Sequence, residues 1–157
     1  MKFKFKSSWI GLFLIAVMLF STFAYAIIQS FYPKQTVKLP ESNIIDYRLD
    51  PNLADVLIQS GATLITFEYN MGCDNCVNQK AALEFFANEY KQTIATVGKT
   101  TLFSIYLEEI VDETLDKSKI TILSIYGEDK LVGANETEIF KSLCKLMVSP
   151  PATCVLT

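Results

Sequence analysis

The stretch TLITFEYNMGCDNCVNQKAALEFFANEY, residues 63–90, decides the fold. Residues 64–69 form an apolar run that is rich in β-branched and aromatic side chains, which predicts a buried strand. A turn follows at residues 70–72, and residues 74–90 carry a helical pattern. The stretch therefore predicts a strand, a tight turn and a helix in direct succession.

Two cysteines, Cys73 and Cys76, stand at the junction between this strand and this helix. The spacing predicts that the C-x-x-C motif occupies the first turn of the helix. Unpaired N–H groups and the positive end of the helix dipole stabilise a thiolate there. Two sulfurs on one helical turn can also close a disulfide with little movement of the backbone. Together these features are typical of a redox site.

From this motif onward the chain resembles the thioredoxin-like superfamily. After the redox helix the pattern predicts, in order, strands at residues 100–107 and 120–126, a turn at 127–128, a short strand ending at 131–134, and a helix from Asn135. This succession is similar to the second half of a thioredoxin, and the resemblance covers about residues 50–148. It implies an α/β, thioredoxin-like fold with a central mixed sheet of about four strands flanked by helices.

The resemblance also implies roles for individual residues. Cys73 is the expected attacking thiolate, and Cys76 is the expected resolving cysteine, more buried in the helix. The family's buried strand carboxylate aligns with Thr66, and Glu68, two positions on, is a candidate proton shuttle. The implied activity is that of a thiol–disulfide oxidoreductase that needs no organic cofactor and acts on protein thiols and disulfides or on a membrane redox partner.

A second class of function stays open, in which a thioredoxin-fold module without catalytic activity binds a partner or scaffolds a membrane complex. Its disulfides are then structural. The family's cis-proline, which guides peptide substrates, is missing, and Ser118-Lys119 stands in its place. That departure favours the scaffold, whereas the C-x-x-C at a helix start favours the oxidoreductase.

Two further helices are marked by their capping residues. Asp50 is a good N-cap, Pro51 suits the first helical position, and Gly61 suits the C-terminal end. The last helix begins with Asn135 as N-cap and Glu138 three residues later, which predicts a capping box. Asn135 also starts an N-x-T glycosylation sequence, although its side chain is expected to accept a backbone hydrogen bond.

Other elements rest on hydrophobic patterning. Residues 43–48 are predicted to form a short edge strand, and the acidic connector at 108–119 has room for one short helix. On the redox helix the apolar pattern predicts that a wide stripe is buried against the sheet. That stripe comprises Val77, Ala81 and Phe85, with Ala82, Phe86 and Tyr90 beside it.

The chain has four cysteines, an even count that outside the cytosol favours pairing. Cys144 lies in the last predicted helix and Cys154 lies ten residues later, beyond two prolines. A Cys144–Cys154 disulfide is predicted to link the tail to that helix.

Two alternative roles for these cysteines remain. All four thiolates could bind zinc or an iron–sulfur cluster, although this spacing lacks the two close ligand pairs of a usual metal site. The second pair could instead relay electrons to or from Cys73–Cys76.

The N-terminus predicts a membrane segment. Three lysines within the first six residues precede an apolar run, residues 9–28, whose ends are Trp9 and Ile28. Twenty helical residues span about 30 Å, the thickness of a bilayer core. The lysines predict a cytoplasmic N-terminus and an outward-facing domain in a single-pass protein of the cell membrane. The alternative is secretion after signal-peptide cleavage at Ala26, since Ala24-Tyr25-Ala26 is an A-x-A site.

The predicted organisation has four parts, which are a lysine-flanked anchor or signal peptide at residues 1–29, a linker at 30–42, the thioredoxin-like domain at 43–148 and the stapled tail at 149–157. The first 26 residues hold three of the 14 basic residues and none of the 17 acidic ones, so the remainder is acidic. An acidic domain argues against nucleic acid as a partner. The sequence has no histidine, which excludes histidine-based triads and histidine-ligated zinc enzymes.

Overall fold

A computed structural model describes residues 7–31, 39–73, 75–97 and 100–156, and the chain divides into two compact units, Met1–Val37 and Lys38–Thr157. In the first unit the described residues form one helix, α1 (Ser7–Phe31). Across the described part of the chain, no helix combines the length and the apolar content needed to cross a bilayer. Lys2, Lys4 and Lys6, residues 32–38 of the predicted linker, and the side chains of Trp9, Tyr25 and Ile28 lie outside the described residues, so the anchor stays a prediction.

The second unit is a mixed α/β domain. Its described helices are α2 (Pro51–Gln59), α3 (Cys76–Glu89) and α4 (Glu136–Leu146), and a 3-10 helix follows at Ala152–Leu156. Its described strands are β1 (Ile44–Ile45), β2 (Thr63–Tyr69), β3 (Thr93–Val97), β4 (Thr100–Phe103), β5 (Ile105–Val111), β6 (Lys119–Ser124) and β7 (Gly127–Val132).

Five of these strands form one sheet in the order β1-β5-β2-β6-β7. Strand β2 runs parallel to β5, with Thr63 opposite Ile105, and antiparallel to β6, with Ile65 opposite Ile122. The predicted mixed sheet is confirmed, with one strand more than expected. The extra strand is the predicted edge segment, of which only Ile44 and Ile45 pair with β5.

The single strand predicted at residues 100–107 is wrong, because Ser104 divides it. The Ser104 N–H donates to the Gln92 carbonyl oxygen at 2.8 Å, and the Ser104 carbonyl oxygen accepts from the Thr63 N–H at 2.8 Å. Upstream of this residue β4 pairs with β3 in a separate two-stranded antiparallel sheet. Downstream, β5 lies in the interior of the main sheet, as predicted for that segment.

The acidic connector begins later than predicted, because β5 continues to Val111. Glu108 is therefore a strand residue, and it is buried. Its Oε1 accepts from the Leu49 N–H at 2.8 Å and its Oε2 accepts from the Thr66 hydroxyl at 2.7 Å. These bonds satisfy the buried carboxylate. The described residues 112–118 form no helix.

The predicted helix caps are confirmed. The Asp50 carboxylate accepts from the Asn52 N–H at 2.9 Å, and Pro51 is the first residue of α2. At α4 the Asn135 side chain accepts from the Glu138 N–H at 2.9 Å, and the Glu138 carboxylate accepts from the Asn135 N–H at 3.0 Å. The predicted turn at residues 127–128 lies two residues earlier, since Gly127, at φ +131°, already begins β7.

Each face of the sheet carries its own hydrophobic core. One cluster lies on the face covered by α3 and α4 and includes Phe67, Leu83 and Ile122. The other lies on the face covered by α2 and includes Leu64 and Tyr106. The alternation of side chains along β2 and β5 therefore decides which helix each strand residue meets.

The buried stripe predicted for α3 is only partly correct, since Phe86 is buried and Tyr90 packs against the core. Val77, Ala81 and Phe85 are exposed, with Phe85 63% accessible. Besides Phe86, the helix buries Cys76, Gln79, Leu83 and Ala87, which were not part of the predicted stripe. These positions follow the helical period from Cys76, which belongs to the core on this face of the sheet. The prediction followed the most apolar stripe, and three of its members, Val77, Ala81 and Phe85, are exposed.

Candidate functional site

Cys73 and Cys76 form a disulfide, with their Cα atoms 5.3 Å apart. Cys76 is the first residue of α3, and its N–H donates to the Cys73 carbonyl oxygen at 3.2 Å. The Cys73 N–H in turn donates to the Asn70 carbonyl oxygen at 3.2 Å, within the turn after β2. The motif thus straddles the helix start. The predicted first-turn position is correct for Cys76 and wrong for Cys73, which lies just before the helix.

The two cysteines differ in their accessibility. Cys76 is 2% exposed and belongs to the core on the α3 face, whereas Cys73 is partly buried and packs against that core. Met71 and Val77, on either side of the motif, are exposed. Cys76 is therefore the more buried of the two cysteines, as predicted, and the attacking and resolving roles stay predictions.

The start of α3 lies beside the motif. Within the described residues the N-cap, Asn75, makes no side-chain capping bond, and the Cys76 N–H donates to the Cys73 carbonyl oxygen. The positive end of the helix dipole also lies at this end of α3, next to Cys73. Asp74, between the two cysteines in sequence, lies outside the described residues.

A cluster of ionisable side chains lies one helical turn beyond Cys76, and sequence analysis did not find it. The Lys80 Nζ is 2.7 Å from the Glu109 carboxylate, 3.3 Å from the Tyr69 hydroxyl and 3.7 Å from the Glu84 carboxylate. The hydrogen bond with Glu109 holds the pKa of Lys80 above its ordinary range, and burial raises the pKa of Glu109. The basic residue closest to Cys73 in sequence is therefore already paired.

Glu68, the candidate proton shuttle, lies on the other face of the sheet. It forms an ion pair with Arg48, and its neighbour Thr66 bonds to Glu108 on the α2 face. Since Phe67 belongs to the α3-side cluster, alternation along β2 turns Glu68 away from the cysteine pair. The structure does not bring Glu68 to the motif, and a shuttle role for it stays a prediction without a supporting contact.

Strand parity is the sequence feature that could have identified Glu109. In β5 the residues Ile105 and Leu107 face the α3-side cluster, so Glu109 faces it too. The sequence prediction ended this strand at residue 107 and placed Glu108 and Glu109 in a connector. Because β5 continues to Val111, Glu109 faces α3 and Glu108 faces α2.

Three buried side-chain atoms have no hydrogen-bond partner among the described residues: Gln79 Oε1, Glu109 Oε1 and Ser118 Oγ. Glu109, which pairs with Phe67, and Ser118, which precedes the Lys119 that pairs with Glu68, lie at the end of the sheet at which β2 leads into Cys73. Gln79 lies on α3, three residues after Cys76. Buried polar atoms without partners are uncommon in native proteins and call for an explanation.

The predicted Cys144–Cys154 disulfide is present, with its Cα atoms 5.4 Å apart. It joins α4 to the 3-10 helix Ala152–Leu156. Within the described part of the chain, no three His, Cys, Asp or Glu side chains converge as a metal-binding group. Asn135, the glycosylation candidate, is exposed while its side chain caps α4.

The chain matches no protein-family model and no curated protein. The chemistry of the site therefore follows from its own geometry. A disulfide between one partly exposed and one buried cysteine, at a helix N-terminus, can accept two electrons and two protons from a dithiol, and the resulting dithiol can pass them on to another disulfide.

Proposed function

We propose that this protein is a membrane-anchored, extracytoplasmic thiol–disulfide oxidoreductase with a thioredoxin-like fold. Its redox group is the Cys73–Cys76 pair. The observation that carries the proposal is the placement of this disulfide where β2 leads into α3, with Cys76 buried and Cys73 nearer the surface. A pair that serves only as a staple has no need of a helix N-terminus that stabilises a thiolate.

In the reductive direction the Cys73 thiolate attacks one sulfur of a substrate disulfide. The substrate S–S bond breaks, a mixed disulfide forms, and the departing substrate thiolate takes up a proton. The Cys76 thiol then loses its proton and its sulfur attacks the Cys73 sulfur, which releases the second substrate thiol and closes Cys73–Cys76. Two electrons pass from the dithiol to the substrate, and the reverse sequence oxidises a substrate dithiol. The cycle needs no organic cofactor.

Several features support the thioredoxin-like fold and the extracytoplasmic location. The order of a strand, the C-x-x-C, a helix, an antiparallel β6–β7 pair and a closing helix agrees with that family's second half. Two disulfides in one small domain are typical of an oxidising compartment. The lysine-flanked apolar N-terminus supports attachment to the membrane.

One observation favours the alternative, a scaffold module with two structural disulfides. Ser118 precedes β6 at the place of the family's cis-proline, and no cis peptide bond occurs among the described residues. A substrate-guiding contact of that family is therefore missing from this position.

Mixed-disulfide trapping separates the two functions. We expect the full-length Cys76→Ser protein, expressed in membranes, to accumulate disulfide-linked complexes through Cys73. The matched control is the Cys73→Ser/Cys76→Ser double variant, which lacks the attacking sulfur and should trap nothing. In the wild type, solubilised in detergent, the pair should titrate between about −120 and −270 mV, the range of known dithiol catalysts. If no complexes are trapped and the reduction potentials of both disulfides lie below about −300 mV, the protein is a scaffold instead.

A further inference from the structure

Gln79 is a buried amide on the inward face of α3, only 3% exposed. Its Nε2 donates to the Ala134 carbonyl oxygen at 2.6 Å. Since a carbonyl oxygen can only accept hydrogen bonds, this contact fixes which end of the amide carries the N–H groups. The opposite atom, Oε1, is an acceptor without a donor among the described residues.

The position of Gln79 relates this acceptor to the redox pair. Cys76 and Gln79 are three residues apart in one helix, so their side chains are neighbours on the same face. Long helical side chains lean toward the helix N-terminus and cover the preceding turn, which here carries Cys76. Cys76 and Ala134, the residue that holds the amide, also belong to one buried cluster.

We propose that Gln79 Oε1 is the hydrogen-bond acceptor for the Cys76 thiol in the reduced protein. In the disulfide, the Cys76 sulfur carries no hydrogen to donate, which accounts for the unpartnered oxygen. When a dithiol reductant supplies two electrons and two protons, the Cys73–Cys76 bond breaks and each sulfur gains a proton. The Cys76 S–H then donates to Oε1. The inference rests on the proposed function, because it assigns a role within the same redox cycle.

The consequence is a shift in the reduction potential of the Cys73–Cys76 disulfide. A bond that exists only in the reduced state stabilises that state, so Gln79 makes the disulfide easier to reduce. It also favours the neutral form of the Cys76 thiol over its thiolate, which leaves Cys73 as the nucleophile. Gln79 is thus a positioning residue that acts through Cys76.

Ser118 is the competing acceptor. It is also buried, and its Oγ has no partner among the described residues. Its carbonyl oxygen accepts from the Gly133 N–H at 2.9 Å, next to Ala134, so it lies in the same region. Gln79 is preferred because it shares a helix with Cys76 and its amide orientation is fixed. The Oε1 of Glu109 is not preferred, because that carboxylate is held by Lys80.

The test is the thiol–disulfide equilibrium of the full-length protein in detergent with glutathione, followed by thiol trapping and mass spectrometry. In Gln79→Leu we expect the equilibrium constant for oxidation to rise about three- to tenfold. This corresponds to a potential more negative by roughly 14–30 mV, at 29.6 mV per tenfold change. The bond to Ala134 is lost in both redox states and therefore cancels in this ratio. Should Gln79→Leu fail to fold, Gln79→Met keeps an unbranched side chain of similar length.

Asn78→Leu is the matched control, since Asn78 is an exposed amide on the same helix. It should leave the equilibrium unchanged. An unchanged equilibrium in the Gln79 variant, or an equal shift in Asn78→Leu, overturns the inference while the proposed function stands. A shift in Ser118→Ala with none in Gln79→Leu overturns it in favour of that hydroxyl. A wild-type pair that does not titrate in the catalytic range instead overturns the proposed function.

Discussion

At the scale of single residues, the pairing of Lys80 with Glu109 decides how much positive charge reaches the redox motif. Lys80 stands one helical turn after Cys76, a position from which a free ammonium group would favour a thiolate. Its charge is instead offset by Glu109 at 2.7 Å and by Glu84 at 3.7 Å. The helix N-terminus is then the main stabilising influence on the Cys73 thiolate, and this implies only a moderate lowering of its pKa.

Ultraviolet titration of the Cys73 thiolate tests this balance. We expect a midpoint above about 5, in contrast to the most strongly oxidising dithiol proteins. Glu109→Gln removes a negative charge and should lower the Cys73 pKa, whereas Lys80→Met removes a positive charge and should raise it, each by a few tenths of a unit to about one unit. Lys145→Met, a change of the same charge on α4, is the control. A wild-type midpoint below about 5, or shifts of the same sign in both variants, would contradict the charge pairing.

At the scale of elements, α3 presents two adjacent phenylalanines with opposite environments. Phe86 is 5% exposed, and its ring centroid lies 4.7 Å from that of Tyr90 and 5.7 Å from that of Phe140. Phe85 points outward. We expect Phe86→Ala to lower the free energy of unfolding by about 3–4 kcal/mol through loss of core packing. Phe85→Ala should change it by less than about 0.5 kcal/mol. Denaturant unfolding of both variants checks the difference, and equal losses would mean that α3 is rotated from its described orientation.

The elements also show which parts of the fold were accessible from the sequence. The caps at Asp50 and Asn135 and the strand–cysteine–helix junction were predicted, because each depends on residues close together in the chain. The division of a strand at Ser104 was not, because its cause is hydrogen bonding to residues distant in sequence. Glu109 was missed for a related reason, since the face it occupies depends on how far β5 extends along β2. Patterning likewise identified α3 and the burial of Phe86, but it placed Val77, Ala81 and Phe85 on the inward face, where the structure has them exposed.

At the scale of the whole second unit, α4 packs against the sheet through its side chains and is linked to the tail by a disulfide. The Ser142 hydroxyl donates to the Asp129 carboxylate of β7 at 2.6 Å, and Ile139 and Leu143 enter the core on the α3 face. The Cys144–Cys154 disulfide adds a covalent cross-link between α4 and the tail. The two disulfides therefore lie at separate places, one at the start of α3 and one at the end of the domain.

This separation predicts the behaviour of a Cys144→Ser/Cys154→Ser variant. The disulfide closes a short loop with a sequence separation of 10. Its loss should lower the free energy of unfolding by about 2–3 kcal/mol, because the unfolded chain regains the entropy that the link removed. Denaturant unfolding of the wild type and the variant, both with Cys73–Cys76 oxidised, measures this loss. The Cys144→Ser single variant is the control and should match the double variant.

Because a structural disulfide takes no part in electron transfer, the reduction equilibrium of Cys73–Cys76 should stay unchanged in the double variant. A stability loss with an altered equilibrium or slower turnover would instead support the relay, in which this second pair passes electrons to the first.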